Sequence, residues 1–364
     1  MRILNELAKL GESIWLDNIN RKMLETGQLK QMISEGLLGM TSNPTIFDKA
    51  ISGSSDYDAR IKDNAERDTF TIYDELTVKD VREALDHFKV VYEETKGQDG
   101  FVSLEVDPRL ADDTAATITE ARRLWAKVDR PNLMLKVPAT TAGYPAIRAL
   151  IGEGKNVNAT LIFSLGQYVD TARAFIAGLT DYFNKGGDIS HVASVASVFV
   201  SRIDSTIDKM IDTSDNAELK KLRGRAAVAN SKRIYEKSLE IFAGAKWEAL
   251  VHRGARAQRV LWASTGTKDP AYSDIKYVEE LVGRNVVNTI PDNTYAALLD
   301  HGKVQITLTD FATAHHIISE LKQHNIDVDQ VCAELLTDGV KAFEKSFAAL
   351  LAAIESKAGQ FAKV

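Results

Sequence analysis

The chain has 364 residues, 45% hydrophobic and 26% charged, with a formal net charge of -6. That is ample apolar mass for a large core, and the acidic balance counts against nucleic acid, which calls for a broad basic face. A small phosphorylated ligand needs only a few local cations and stays open.

The pattern alternates short β-branched apolar runs with amphipathic helical stretches. In chain order, strands are expected at 13–17 (SIWLD), 37–43 (LLGMTSN), 101–106 (FVSLEV), 132–137 (NLMLKV), 157–163 (VNATLIF), 192–199 (VASVASVF), 259–264 (RVLWAS) and 285–290 (NVVNTI). Helices are expected at 115–128, at 141–150 from a capping Thr141, at 165–183, at 217–243 and at 327–358, the last starting near Asp327 or Asp329. Two inserts, 44–100 and 201–258, exceed the usual crossover length, and the first holds at least two helices. Eight strands with helical crossovers predict an α/β fold, a (β/α)8 TIM barrel with additional helices in inserts and at the C-terminus, as one domain over 1–364. A doubly wound open sheet is the rival. It usually carries a Gly-rich fingerprint after its first strand, where this chain has Asp17-Asn18-Ile19-Asn20. The Walker pattern is absent too.

The single cysteine, Cys332, excludes an intramolecular disulfide, suits a reducing compartment and has the neighbours of a helical core position. The N-terminal MRILNELAKLGE lacks the apolar core of a signal peptide. No apolar run approaches the ~20 residues of a membrane span. A cytoplasmic protein with no membrane partner is expected. The seven histidines are scattered, with His315 and His316 pointing apart on a helix, and no HExxH occurs, so no metal is expected.

In such a barrel the active groups sit at the C-terminal strand ends. There the sequence puts Asp17; Thr41, Ser42 and Asn43; Glu105 and Asp107; Lys136; Asn158 and Thr160; Ser197, with Arg202 soon after; Ser264; then Asp292 and Asn293. Lys136 stands in an otherwise apolar strand, LMLKVP. Burial disfavours a charged lysine and frees the amine to attack a carbonyl. The bland alternative is a lysine pointing outward and snorkelling to water. Asp17 and Glu105 form either an acid/base set with it or a structural ion pair. Asn43, Asn158 and Thr160 hold substrate hydroxyls or make structural hydrogen bonds. Arg202 and Lys268 bind phosphate or join surface salt bridges.

Four segments resemble signatures of the transaldolase family, in order and spacing over nearly the whole chain: GMTSNPTIF at 39–47, LKVPAT at 135–140, NATLIFS at 158–164 and ASVFVSRID at 196–204. The resemblance implies that Lys136 forms a Schiff base with the ketose C2 carbonyl and that Asp17 takes the C4 hydroxyl proton during C3–C4 cleavage. Glu105, with Thr160 and a bound water, would shuttle protons. Asn43 and Asn158 would hold the dihydroxyacetone unit, Ser197, Arg202 and Ser264 the phosphate, and Thr41 and Phe199 complete the substrate-facing set. The implied substrates are sugar phosphates, with no metal or diffusible cofactor, in a monomer or homodimer. The chain departs from the pattern after strand seven. Many transaldolases carry a basic residue two positions after the Ala-Ser pair, whereas here Ala263-Ser264-Thr265-Gly266-Thr267-Lys268 has glycine there. This resembles a longer bacterial subgroup and leaves Lys268 as the replacement phosphate ligand, with Thr265 and the backbone near Gly266 as alternatives. A fructose-6-phosphate aldolase is the nearest rival. Those relatives carry Gln at the Glu105 position and Tyr at Phe199, so this chain resembles a transferase. A non-catalytic sugar-phosphate binder is the rival from another class, and it would have no need of a buried nucleophile.

Overall fold

The computed structural model describes residues 3–361; residues 1, 2 and 362–364, the two ends of the expected domain range, lie outside the described residues. Eight strands close into a barrel in sequence order, all neighbours parallel. They are β1 (Glu12–Leu16), β2 (Gly39–Thr41), β3 (Val102–Glu105), β4 (Leu133–Pro138), β5 (Val157–Ile162), β6 (Ser194–Phe199), β7 (Arg259–Ala263) and β8 (Val286–Ile290). Every strand residue is buried. That is the condition of parallel strands covered by helices outside and filled by side chains inside.

Several boundaries differ from the expected ones, each for a local reason. Asn43 is not in β2. It takes an extended conformation and accepts the Ile46 N–H at 3.0 Å, capping the helix Pro44–Ser52. The helix expected from Thr141 starts instead at Gly143, with Ala142 at the N-cap and no side-chain cap, while the preceding turn is closed by Thr140, which accepts the Gly143 N–H at 3.0 Å and donates to the Ala111 carbonyl at 2.6 Å. The helix expected over 217–243 is two helices, Ala217–Lys220 and Ala226–Ile241, parted at Gly224 with φ +71°.

The inserts supply further helices, of which Pro44–Ser52 and Ser201–Asp212 reach the mouth through Thr45, Lys49 and Arg202. The first contains Pro44–Ser52, Asp58–Asp63 and Thr69–Glu94; the second contains Ser201–Asp212, the two helices just named and Ala245–Val251. The C-terminal helix, Val328–Phe361, lies against Pro44–Ser52. Thr45 donates to Ser346 Oγ at 2.9 Å, and Lys357 donates to the Ser54 carbonyl and to Asp58, each at 2.6 Å. Gly339 lets this helix approach the end of β5, where a Cβ would fall 3.1 Å from Leu161 Cδ2. Cys332 sits in its buried face beside the Phe163 carbonyl, and burial pushes its thiol up to about 12, so it packs as a small apolar residue. No helix among the described residues is long and apolar enough to cross a membrane.

Candidate active site

A cavity of about 250 Å³ opens at the C-terminal ends of the strands. Its lining includes Asp17, Thr41, Asn43, Lys136, Ser197, Phe199, Arg202, Ser264 and Lys268, nine of the residues singled out in the sequence. A larger groove of about 1100 Å³ lies on the outer wall between Arg148, Ile176 and Trp247, and no strand-end residue lines it. Chemistry places the site in the smaller cavity, where ionisable groups converge.

Lys136 points inward. Its side chain is 5% exposed, and Nζ donates to the Ser42 carbonyl at 3.1 Å and lies 3.3 Å from Glu105 Oε2. The backbone register sets this pair, since Glu105 on β3 is the cross-strand neighbour of Lys136 on β4. The outward, snorkelling alternative is therefore excluded. Phe343 of the C-terminal helix closes the other side, its ring centroid 5.7 Å from Nζ.

Burial pushes the Glu105 carboxyl up to about 7, against the pull of Lys136 and with a further push from Asp17. Neither Glu105 oxygen has a hydrogen-bond partner among the described residues, nor does the buried Thr160 hydroxyl. Thr160 owes its setting to a break in register. The β5–β6 ladder slips between Ala159 and Ile162, and Leu161 takes a φ of +58°. Such strain in a β-branched neighbourhood needs support from elsewhere, and Gln167 provides it by donating to the Leu161 carbonyl at 3.0 Å while accepting from Phe163 N and Ser164 N.

Asp17 follows β1 and is partly exposed to the cavity. It accepts a 2.7 Å bond from Thr41, whose hydroxyl also lies 2.6 Å from that of Thr289. Burial raises its carboxyl above the usual range, opposed by the charges of Lys136 and Lys268 and by the Thr41 bond. Asn158 lies beneath the cavity, fully buried, and donates to Ser103 Oγ at 3.0 Å and accepts from Ser197 Oγ at 2.6 Å. Ser197, which lines the cavity, is thus tied to the buried Asn158.

At that end Arg202 lies over the Phe199 ring at 5.6 Å, and burial lowers its guanidinium pKa, with Asp338 as the opposing charge. It makes no ion pair among the described residues. A cation in that state lacks the counter-charge that a phosphate would supply. Ser264 has φ +54°, held by the bond from Ser201 N to its carbonyl (3.0 Å) and by the approach of the two hydroxyls (3.1 Å). Gly266 abuts Pro291, where a Cβ would fall 3.1 Å from Cγ, so a long side chain at 266 would have to displace that ring. Lys268 is exposed at the rim.

Phe343, Lys49, Thr45 and Thr289 also line the cavity and were not singled out in the sequence. Lys49 sits on the helix that Asn43 caps, where cap spacing alone was a signal. Phe343 carried none, because only the path of the last helix brings it here. Among the described residues no cluster of His, Cys, Asp and Glu is placed to hold a metal.

Residues 14–354 match the family described as transaldolase/fructose-6-phosphate aldolase. The chain is 46% identical to a transaldolase from Trichodesmium erythraeum, over 97% of this chain and 96% of that one. It is 46% identical to a transaldolase from Saccharopolyspora erythraea over 98% of each chain. It is 45% identical to a transaldolase from Thiobacillus denitrificans, over 97% of this chain and 100% of that one.

Proposed function

The chain belongs to the transaldolase/fructose-6-phosphate aldolase family and acts as a transaldolase, and we propose that it moves a dihydroxyacetone unit through a Schiff base on Lys136. The donor is sedoheptulose 7-phosphate or fructose 6-phosphate, and the acceptor is glyceraldehyde 3-phosphate or erythrose 4-phosphate. The observation that carries this reading is the buried Lys136 amine 3.3 Å from Glu105, within the same cavity as Asp17.

In the proposed sequence, the Lys136 amine adds to the ketose C2 carbonyl. Glu105 then helps expel the carbinolamine hydroxyl as water, leaving a protonated imine. A carboxyl with a pKa near 7 both takes and gives protons in this range. Beyond the ion pair with Lys136, the Glu105 oxygens and the Thr160 hydroxyl leave hydrogen-bonding capacity at that point. Asp17 next takes the C4 hydroxyl proton, the C3–C4 bond breaks, and its electron pair moves into the imine to give a neutral enamine while the aldose phosphate departs. The acceptor aldehyde adds by the reverse steps, and hydrolysis frees Lys136. The imine is the electron sink, so the scheme calls on no metal or diffusible cofactor. Asn43 and Asn158 hold hydroxyls of the three-carbon unit, with Ser197 fixing Asn158. Arg202, Ser264 and Lys268 take the phosphate.

The aldolase alternative releases the enamine as free dihydroxyacetone, which requires protonation of carbon. No tyrosine lines the cavity among the described residues, and Phe199 and Phe343 have no proton to give. Both favour transfer. The proposal extends to the non-oxidative pentose phosphate pathway, a cytoplasmic setting, one domain and a monomer or homodimer. Borohydride trapping with fructose 6-phosphate tests the core of it. A covalent adduct on Lys136 is expected; no adduct, or one that survives Lys136→Ala, sinks the mechanism.

A further inference from the structure

Lys268 is an exposed lysine on the loop after β7, and a long free side chain binds phosphate poorly unless its backbone is fixed. The loop is fixed from outside the barrel. The helix Ser201–Asp212, which brings Arg202 to the cavity, carries two buried aspartates on its inner face, Asp204 and Asp208. Each ties together two separate segments. Asp204 accepts from Ala227 N at 2.7 Å and from the Tyr277 hydroxyl at 2.9 Å. Asp208 accepts from Gly224 N at 2.8 Å and from the Tyr272 hydroxyl at 2.7 Å.

Arg223 completes the arrangement. It donates to the Tyr272 hydroxyl at 2.7 Å and to Asp269, the residue next to Lys268, at 2.5 Å. Asp269 in turn accepts from Ala271 N at 2.9 Å, which tightens the turn. The Tyr272 ring occupies the space that a side chain at 224 would need: a Cβ on Gly224 would fall 2.7 Å from the ring. The break between the two insert helices therefore has a use, since it admits this tyrosine. Arg202 and Lys268 thus ride on elements joined through the same pair of aspartates.

We propose that Arg223, Tyr272 and Asp208 form a latch that positions Lys268 for the substrate phosphate, so that the insert between β6 and β7 sets affinity for phosphorylated substrates. This rests on the reading of Lys268 as a phosphate ligand. None of the three touches the reacting atoms, and they are positioning residues.

The test is a double-mutant cycle read in KM and kcat. Tyr272→Phe keeps the ring and removes the hydroxyl shared by Asp208 and Arg223. It is expected to raise the KM for fructose 6-phosphate about five- to tenfold, with kcat and the KM for unphosphorylated fructose little changed. Lys268→Ala is expected to raise the same KM at least as much, and adding Tyr272→Phe to it to do nothing more, because the latch acts through the lysine. Asp269→Asn, which weakens the Arg223 contact without altering size, serves as a second latch variant should Tyr272→Phe fold poorly. If Lys268→Ala raises the KM but both latch variants leave it unchanged, the latch is overturned and the reading of Lys268 stands. Independent, multiplying effects in the double variant overturn it as well. If Lys268→Ala leaves the KM unchanged, the phosphate reading of that lysine fails and the latch falls with it.

Discussion

The two ends of the barrel each bury a cation beside a carboxylate, and they treat the pair in opposite ways. At the N-terminal end Arg259, on the first residue of β7, donates to Asp99 at 2.8 Å and to Ser13 Oγ at 2.9 Å. Asp99 also accepts from Ser13 at 2.8 Å and from Trp15 Nε1 at 3.0 Å. Both carboxylate oxygens accept hydrogen bonds and both terminal guanidinium nitrogens donate within the cluster, which is closed on itself. At the C-terminal end Lys136 has one carbonyl and a carboxylate at 3.3 Å, while Glu105 has no partner beyond that ion pair and the Thr160 hydroxyl has none among the described residues. A closed ion pair has nothing left to offer a ligand. An open one retains desolvated hydrogen-bonding capacity, which a substrate can complete. A closed, structural ion pair does exist in this protein, at the other end of the barrel from Lys136 and Glu105.

The largest effect should come from the open pair. Lys136→Ala is expected to lower kcat about 10⁴-fold or more and to abolish the borohydride adduct, with thermal stability kept or raised. Much residual activity would show that the open pair is not the chemical one. Asp17→Ala should lower kcat about 10²–10⁴-fold while the imine still forms and is still trapped. Loss of the adduct in a folded Asp17→Ala protein would mean that its role is in imine formation instead. The closed pair should respond in stability. Arg259→Met leaves Asp99 buried without its cation and should cost about 3 kcal/mol of unfolding free energy, read by denaturant titration. Schiff-base trapping of the folded fraction should be retained. A collapse of catalysis with stability intact would erase the contrast between the ends.

The barrel was legible because parallel strands covered on both faces read as short apolar runs, and a polar residue at the end of such a run stands out. Lys136 in LMLKVP is the clearest case, and the order of the strand ends was enough to gather seven cavity residues, with Lys268 read from its charge and Phe199 from the family resemblance. What stayed hidden depends on distant chain. Gly224 reads as an unremarkable helical interruption until Tyr272 is seen to need the space. Phe343 is one apolar residue among many on the last helix. The strained φ values at Leu161 and Ser264 fall on residue types that do not announce them. The closed cluster was invisible for the same reason: Ser13, Asp99 and Arg259 meet only once the barrel closes.

The open pair should also be visible in pH. Glu105 has a pKa near 7, so it is protonated below that value and ionised above it. Expelling the carbinolamine hydroxyl requires the acid form. The rate of imine formation should therefore fall as pH rises through about 7, and that limb should vanish in Glu105→Gln along with about 10²-fold in rate. A limb that rises through the same pH would make Glu105 the base in the limiting step.

Glu12 sharpens the comparison from the structural end. It is the first residue of β1, fully buried, and neither oxygen closes a well-formed hydrogen bond among the described residues, the Asn288 side chain being its electrostatic partner. It lines neither the cavity nor the Arg259 cluster, so its open valence serves no substrate. Burial raises its carboxyl well above the usual range, and Asn288 only partly offsets that. A carboxyl whose pKa is raised on folding binds its proton more tightly in the folded state. Its contribution to stability is fully present below the unfolded value, about 4.3, and is lost as pH rises through the folded value. Gln does not titrate. Glu12→Gln should therefore be nearly neutral in stability at low pH and increasingly stabilising with rising pH, by roughly 1–2 °C in Tm for each kcal/mol recovered, with kcat unchanged. A gain that shrinks with rising pH would mean that the ionised Glu12 is stabilised where it sits. Hydrogen-bond satisfaction would then be a poor guide to which buried carboxylates this barrel keeps for chemistry.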